Sequence, residues 1–241
     1  MKTRLTFLVS VVAISGGVCA LAFALPEAAA QNPPMEQKVA EIKQASAANK
    51  QALARYTWQE QQVISLKGEV KKTVSYQVSV GLDGQQQKIE LGSSAAPPPT
   101  GGRLKQHIVA KKRDEFQEYG QQVAALTKQY TQPDPQLLQQ AYQQGNTSIQ
   151  LGGAPGTVTL VIKNYLKPGD SMTLVFDEGP KTIQTLQIAS YLSDPKDAVT
   201  IAVQFAKLPA GVNHVAAAQI NGVSKQMTVA IQNFNYQLSQ M

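Results

Sequence analysis

The sequence predicts an α+β protein in which a curved antiparallel sheet of about ten strands is covered on its apolar face by about three helices. Large apolar side chains alternate with small or polar ones along segments such as Val199 to Phe205 and Met227 to Ile231. This period of two puts the apolar groups on one side of a sheet, which then needs a cover. Other stretches place apolar residues at helical spacing between Lys, Glu and Gln, as covering helices do.

The first thirty residues, 1-30, are predicted to be a cleaved signal peptide. Lys2 and Arg4 form a basic start, and an apolar run follows from Leu5 to Leu25. Ala28 to Ala30 supplies the small residues that signal peptidase requires, so cleavage is predicted after Ala30. The alternative is a retained membrane anchor, because the apolar run is long enough to span a bilayer.

The only cysteine, Cys19, lies inside this segment. The mature chain would therefore have no disulfide and would depend on packing for its stability. Such an exported protein suits a bacterial envelope, so we expect residues 31-241 to form a single domain in the periplasm. The net charge of +6 is scattered along the chain, which indicates solubility and at most transient contact with anionic membrane surfaces.

A helix and a three-stranded meander open the predicted domain. Pro33 and Pro34 stand where a helix can begin, and apolar residues at helical spacing continue to Tyr56. The period then changes to two and predicts strands over Tyr56 to Leu66, Val74 to Leu82 and Gln85 to Leu91. Asp83-Gly84 between the last two is a typical hairpin turn.

A helical insertion near 103-145 interrupts the strands. A proline-rich polar loop from Gly92 to Gly102 leads into it. Helical spacing then returns and continues past Gly120, where we expect a break or a bend. Asp134 caps a third, short helix with Pro135 in its first turn, and Gly145-Asn146 ends it.

About seven strands fill the rest of the chain to Leu238. Turn residues punctuate this region at regular intervals: Gly152-Gly153, Pro168-Gly169-Asp170, Glu178-Gly179-Pro180, Asp194-Pro195, Pro209-Ala210-Gly211 and Asn221-Gly222. Strands joined by such short turns are antiparallel, because a parallel crossover needs a dozen or more residues. The spacing is typical of an antiparallel sandwich or barrel.

No pattern in the sequence indicates catalysis, a cofactor or a metal site. His107 and His214 have no cysteine partner and no carboxylate at ligand spacing, whereas a metal site needs about three or four convergent ligands. No serine stands in a Gly-x-Ser-x-Gly setting, and no glycine-rich phosphate loop precedes a helix. The sequence therefore predicts a binding protein and not an enzyme, although a triad assembled only in space leaves no such pattern.

A basic run from Lys111 to Arg113 adjoins Asp114, Glu115 and Glu118. At this spacing the charges are expected to pair on a solvated helix surface. The same basic run could contact lipid headgroups. We do not expect nucleic acid as a partner, because the chain is predicted to be exported.

The apolar face of the sheet is the candidate ligand site. In most β proteins such residues fill the core. If the helices cover a curved sheet incompletely, the same residues would line a cavity, where burying a greasy ligand removes about 25 cal/mol per Å² of unfavourable contact with water. The residues expected to line this cavity are Trp58, Tyr76, Val78, Val80, Ile201, Val203, Phe205, Val229 and Ile231.

The order of elements resembles the periplasmic lipoprotein-carrier superfamily, the LolA-like proteins. The resemblance rests on the signal peptide, the leading helix, Tyr56-Thr57-Trp58 at the start of a meander, the inserted helices and the closing strands. Leu186 to Pro195, Asp197-Ala198-Val199 and Pro209 to Asn213 look like the late strand-turn-strand region of that group.

This resemblance implies an open half-barrel of antiparallel strands, with helices forming a lid over an apolar cavity that accepts acyl chains. Members include carriers of lipidated proteins, lipid-binding proteins and sensors that bind envelope proteins. We therefore expect an exported periplasmic protein that shields a lipid, acyl chain or lipidated polypeptide without catalysis. The alternative is a structural or regulatory envelope module that binds a protein partner.

Overall fold

The structure is a computed structural model that describes residues 44–81, 84–95 and 103–239. The predicted signal peptide, the first part of the leading helix and the Pro97-Pro98-Pro99 run lie outside these residues. Helix α1 comprises residues 44–53, α2 Arg103–Thr131 and α3 Pro135–Gln143. The strands are β1 (Tyr56–Leu66), β2 (Glu69–Val80), β3 (Gln86–Ala95), β4 (Thr147–Leu151), β5 (Thr157–Lys163), β6 (Ser171–Asp177), β7 (Thr182–Tyr191), β8 (Ala198–Lys207), β9 (Asn213–Gly222) and β10 (Met227–Leu238).

The ten strands form one antiparallel sheet in the order β3-β2-β1-β10-β9-β8-β7-β6-β5-β4. Pairing of β1 with β10 joins the first meander to the seven later strands. Strands β3 and β4 are the two edges, so the sheet formed by the described residues is open. This confirms the predicted fold class, a curved antiparallel sheet with helices on its apolar face.

The first meander is longer than predicted. Strand β2 begins at Glu69 and ends at Val80, whereas the alternation predicted Val74 to Leu82. Strand β3 continues to Ala95 and therefore includes residues that were predicted to begin a loop at Gly92. The reason is long-range pairing: the early residues of β2 offer ladder partners to residues 92–95, so polar residues without an apolar pattern still join the sheet.

Helix α2 runs unbroken through Gly120. The expectation of a break there is wrong, and the alternative of a bend stays a prediction. Glycine in a helix interior costs about 1 kcal/mol relative to alanine. Tyr119 and Val123 on either side are buried against the sheet, and burying such side chains outweighs that amount. The third helix is as predicted: Asp134 accepts a hydrogen bond from the backbone N–H of Gln136 at 2.8 Å, and Pro135 opens the helix.

One face of the sheet is apolar across most of its width. Pairing places one residue from each of nine neighbouring strands in a single row on this face, and all but one are apolar. From β2 to β4 the row is Val74, Gln62, Ile231, Ala218, Val203, Leu186, Leu174, Leu160 and Ile149. On the opposite face, β8 exposes Thr200, Ala202 and Gln204. We refer to the first face as the apolar face.

Helices α2 and α3 lie on the apolar face. Their buried side chains are Tyr119, Val123, Leu126, Tyr130, Leu138 and Ala141. These pack into one core cluster with buried residues of β5 to β10, which we call the main cluster. The amphipathic pattern of these helices is therefore explained by burial against the sheet.

Candidate functional site on the apolar face

The nine residues predicted to line a cavity fall into two groups. Ile201, Val203, Val229 and Ile231 belong to the main cluster, and Phe205 packs against it. Trp58, Tyr76 and Val78 form, with Val74, a second cluster against which Val80 and Tyr236 pack. We call this second group the Trp58 cluster.

The two clusters occupy different parts of the same face. Gln62 of β1 pairs with Val74 on one side and with Ile231 on the other, which places a polar side chain between the two groups. Most of the nine side chains are closed to water, with Val78 0%, Ile201 1% and Trp58 2% exposed. A ligand would therefore enter only if a covering element moved.

Helix α2 is held at the end of the sheet where β9 passes into β10. The hydroxyl of Tyr119 donates to Asp197 Oδ1 at 2.9 Å. Nearby, Lys225 Nζ lies 3.8 Å from Glu115 Oε2 and 5.8 Å from the ring centroid of Phe116. These contacts fix the middle of the helix over the turns at this end.

The C-terminal end of α2 is held by a buried hydrogen-bond network. The hydroxyl of Tyr130 lies 2.5 Å from Asp170 Oδ2 and 2.8 Å from Ser190 Oγ. Asp170, 1% exposed, also accepts from the backbone N–H groups of Tyr165, Leu166 and Lys167. Burial and the hydrogen bond to Asp170 raise the pKa of Tyr130 well above its usual range, so the phenol stays protonated as the donor.

Helix α1 crosses the opposite end of the sheet. The side-chain amide of Asn49 donates to the Asn213 carbonyl at 2.9 Å and accepts from the Asn213 N–H at 2.7 Å. Its neighbour Lys50 approaches the turn between β2 and β3, because a Cβ on Gly84 would lie 3.9 Å from Lys50 Nζ. Side chains of two consecutive residues of the helix therefore reach the β2–β3 turn and the start of β9. We call the Asn49–Asn213 pair the α1 clasp.

Charged and polar side chains lie beside the Trp58 cluster on the same face of the sheet. Glu60, only 2% exposed, accepts from Gln62 Nε2 at 2.5 Å. Lys88 of β3 forms a salt bridge with the same carboxylate at 2.6 Å, and its Nζ lies 5.9 Å from the ring centroid of Tyr76. Burial raises the pKa of Tyr76, as do the charges of Glu90 and Glu60.

Three side-chain donors converge on the carbonyl oxygen of Val215, beside the Trp58 cluster. They are Asn233 Nδ2 at 3.0 Å, His214 Nδ1 at 3.1 Å and the Tyr236 hydroxyl at 3.2 Å. Because a carbonyl only accepts, Nδ1 of His214 carries the proton. Burial lowers the pKa of His214, which favours this neutral form.

Tyr236 links this carbonyl to Trp58. Its ring stacks on the Trp58 indole with centroids 5.3 Å apart, and lies 4.2 Å from the His214 ring. Burial raises the pKa of Tyr236 above its usual range, and the charge of Glu60 adds to the effect. Two buried polar atoms here have no hydrogen-bond partner among the described residues: Trp58 Nε1 and Asn233 Oδ1.

Sequence reasoning missed Glu60, Lys88, Asn233 and Tyr236. The sequence carried a signal for Glu60, because the alternation that buries Trp58 also places Glu60 on the buried face. Lys88 and Asn233 reach the site through pairing with other strands. The hairpin turn at Asp83-Gly84 predicts the pairing that brings Lys88 beside β2, whereas no local pattern predicts the pairing of β10 with β1.

Neither a cluster of metal ligands nor a membrane-spanning helix occurs among the described residues. There, no three His, Cys, Asp or Glu side chains come together as ligands for a metal ion. None of the described helices combines the length and the apolar composition needed to cross a membrane. His107, one of the two histidines in the sequence, is exposed on α2.

Comparisons with solved structures return proteins with very low sequence identity and low TM-scores. A LolA superfamily protein from Nitrosomonas europaea has 8% identity and a TM-score of 0.36, with 81% of this chain and 94% of that chain covered. A DUF1329 family protein from Desulfovibrio piger also has 8% identity and a TM-score of 0.36, with coverages of 80% and 92%. MucB, solved in complex with MucA(peri), has 9% identity and a TM-score of 0.21, with coverages of 81% and 98%. No protein-family model and no curated protein matches the chain.

Proposed function

We propose that this protein is exported to the periplasm and shields a lipid, an acyl chain or a lipidated polypeptide against the apolar face of its sheet, without catalysis. The ligand would lie between the sheet and the helices. The residues proposed to contact it are those predicted from the sequence, with the Trp58 cluster as the entry region. Binding would be reversible and would need no covalent chemistry.

The observation that carries this proposal is the unequal attachment of the helices. Helices α2 and α3 contribute six buried side chains to the main cluster. The buried residues of the Trp58 cluster all come from β1 and β2. At that end α1 is held by the two hydrogen bonds of the α1 clasp and by the buried side chain of Leu53, which is not part of the main cluster. Helix α1 can therefore move without disrupting the main cluster.

The free energy gained by burying an acyl chain can exceed the free energy needed to move helix α1 away. A hydrogen bond contributes about 1 kcal/mol net to stability, so opening the α1 clasp costs about 2 kcal/mol. Exposing the buried side chain of Leu53 adds about 1.5–3 kcal/mol. Each buried CH₂ group contributes about 0.8 kcal/mol, so an acyl chain that buries about six methylene groups would offset the opening, and a longer chain would favour the bound state.

Export is part of the proposal and rests on the N-terminal segment of the sequence. The mature protein would then begin at Gln31. N-terminal sequencing of protein from the periplasmic fraction tests this step. A mature chain that retains residues 1-30 would contradict it.

Native mass spectrometry of the full-length protein, extracted gently from its host, tests the binding function. We expect an additional mass equal to one acyl-chain lipid, which is lost on delipidation and regained when fatty acid is added. Protein that carries no lipid and also rejects fatty-acid probes would overturn the proposal.

A second candidate function is a structural or regulatory envelope module that binds a protein partner. Its support is the pair of sheet edges, where large apolar side chains face solvent: Ile89 of β3 is 67% exposed, and Leu151 of β4 is 91% exposed. An extended peptide can add a strand to such an edge. Crosslinking in intact cells discriminates, because a stable protein neighbour without extractable lipid would favour this function.

A further inference from the structure

We infer that the indole N–H of Trp58 and the polar side chains beside the Trp58 cluster form a subsite for a neutral secondary amide at the head of the bound acyl chain. This inference rests on the proposed function and specifies which ligand the site prefers. The subsite consists of Trp58, Glu60, Lys88 and Asn233, and we call it the amide subsite.

The first observation is an unused donor. Trp58 is 2% exposed, and its indole Nε1 has no acceptor among the described residues. The pairing of β1 with β10 shifts register between Thr57 and Gln59, and the extra residue lies on β10, between Phe234 and Gln237. A buried N–H without an acceptor is unfavourable, and a ligand carbonyl would satisfy it.

The second observation is an unused acceptor on the adjacent strand. Asn233 Nδ2 donates to the Val215 carbonyl at 3.0 Å, which fixes the orientation of the side-chain amide. The other end of that amide, Oδ1, is buried and has no donor among the described residues. A ligand N–H would satisfy this oxygen.

The two atoms belong to neighbouring positions on one face. Asn233 lies directly opposite Glu60, and Trp58 is two residues from Glu60 on the same strand. Diagonal neighbours of this kind have backbones about 7–8 Å apart. A secondary amide carries its carbonyl and its N–H on opposite sides, so it can bridge a donor and an acceptor that stand apart. A hydroxyl presents its donor and its acceptor on a single oxygen, so it is less suited to bridge two atoms that stand apart.

The charges at the subsite favour a neutral head. Glu60 and Lys88 compensate each other at 2.6 Å. The pair therefore leaves no net charge to compensate an ionic head. Because the pair is largely withdrawn from water, an anionic or cationic head would lose its hydration there without gaining a counter-charge.

A matched pair of probes tests the inference on the full mature chain. N-dodecanoylglycine methyl ester carries the secondary amide, and its analogue with oxygen in place of the amide nitrogen keeps the carbonyl but lacks the N–H. Trp58 is the only tryptophan in the sequence, so its emission reports binding at the subsite. We expect the amide probe to bind about tenfold more tightly than the ester analogue, because the analogue has no N–H and leaves the buried Asn233 Oδ1 unpaired.

Two variants assign the preference to the subsite, with calorimetry as the readout. Asn233→Leu should abolish the preference for the amide over the ester. Trp58→Phe keeps a ring against Tyr236 and should weaken both probes about equally, because both carry the carbonyl. The control is Gln232→Leu, which changes the exposed neighbour on the opposite face of β10 and should leave the preference intact.

The outcomes separate this inference from the proposed function. Equal affinities for the two probes would overturn the amide subsite and leave acyl-chain binding standing. Binding of neither probe would overturn both. A preference that persists in Asn233→Leu, or unchanged affinity of Trp58→Phe for both probes, would overturn the assignment to these residues. An N-dodecanoyl tripeptide then distinguishes the source of the amide: retained binding supports the subsite with an acylated polypeptide, and lost binding supports it with an amide-linked lipid.

Discussion

The ring of Tyr119 lies directly over the backbone of Gly222, where helix α2 meets strand β9. A Cβ on Gly222 would stand 2.5 Å from the Tyr119 hydroxyl oxygen and 2.7 Å from a ring carbon. No side chain larger than hydrogen fits there while the ring keeps its place. Gly222, which the sequence marks as part of a turn, is thus also the position against which the buried ring of Tyr119 packs.

The substitution Gly222→Ala should lower the free energy of unfolding by about 1–3 kcal/mol, because the added methyl group displaces a ring that is packed and hydrogen-bonded to Asp197. Denaturant unfolding measures the change. Gly92→Ala in β3 is the control, since a Cβ there meets nothing within 4 Å. Equal stability of the two variants would contradict the tight contact.

Removing the phenol at Tyr130 should destabilise the protein through its buried network. In Tyr130→Phe the carboxylate of Asp170 loses one donor while it remains buried, which should cost about 1–3 kcal/mol. Tyr142→Phe on α3 is the matched control, because Tyr142 is 43% exposed and should change stability by less than about 0.5 kcal/mol. If Tyr130→Phe and Tyr142→Phe unfolded at the same denaturant concentration, the buried network would not contribute to stability.

Loss of the α1 clasp should make local opening of helix α1 easier and leave the sheet intact. In Asn49→Ala the backbone groups of Asn213 lose both partners, so we expect local opening to become easier by about 1–3 kcal/mol. Hydrogen exchange should accelerate over residues 44–53 and stay unchanged in β5 to β8. Gln51→Ala, an exposed position on the same helix, is the control, and similar exchange in both variants would argue against the clasp.

Stability should fall on acidification because of His214. Burial lowers its pKa below the ordinary value of 6.5, so the unfolded chain binds the proton more readily than the folded chain does. The free energy of unfolding is therefore highest above pH 6.5 and decreases as pH falls through that value toward the folded pKa. Urea unfolding at neutral and mildly acid pH measures this effect.

Two histidine variants make the pH test specific. His214→Phe keeps a ring beside Tyr236 but cannot take up the proton, so its stability should depend less on pH than that of the parent protein. His107→Gln changes the exposed histidine of α2 and should retain the parental dependence. If His107→Gln flattened the pH profile and His214→Phe did not, the assignment to His214 would be wrong.

Much of the fold was predictable where a pattern depends on near neighbours. Strand β1 begins and ends at the predicted residues, Tyr56 and Leu66, and the third helix has its predicted cap at Asp134. Predictions were wrong where distant contacts override local preference. Strand β3 extends into the predicted loop because β2 offers it partners, and α2 continues through Gly120 because its flanking residues are buried.

The candidate site was predictable only in part. Its apolar residues follow from alternation, and the structure places them on one face in two clusters. The polar residues at that end, among them Asn233 and Lys88, were not foreseen. Their positions depend on the pairing of β10 with β1 and of β3 with β2.

By itself the sequence determined the strand and helix segments and the side of each strand that is apolar, because turn residues and side-chain periodicity act over a few positions. Only the tertiary structure decided how the sheet is ordered, which helix covers which part of it, and where polar groups meet. The reason is distance along the chain: Asn49 and Asn213 are 164 positions apart, and Tyr130 and Asp170 are 40 apart. Such contacts depend on the pairing of elements that are distant in the sequence, such as β1 with β10, and local patterns carry no information on that pairing.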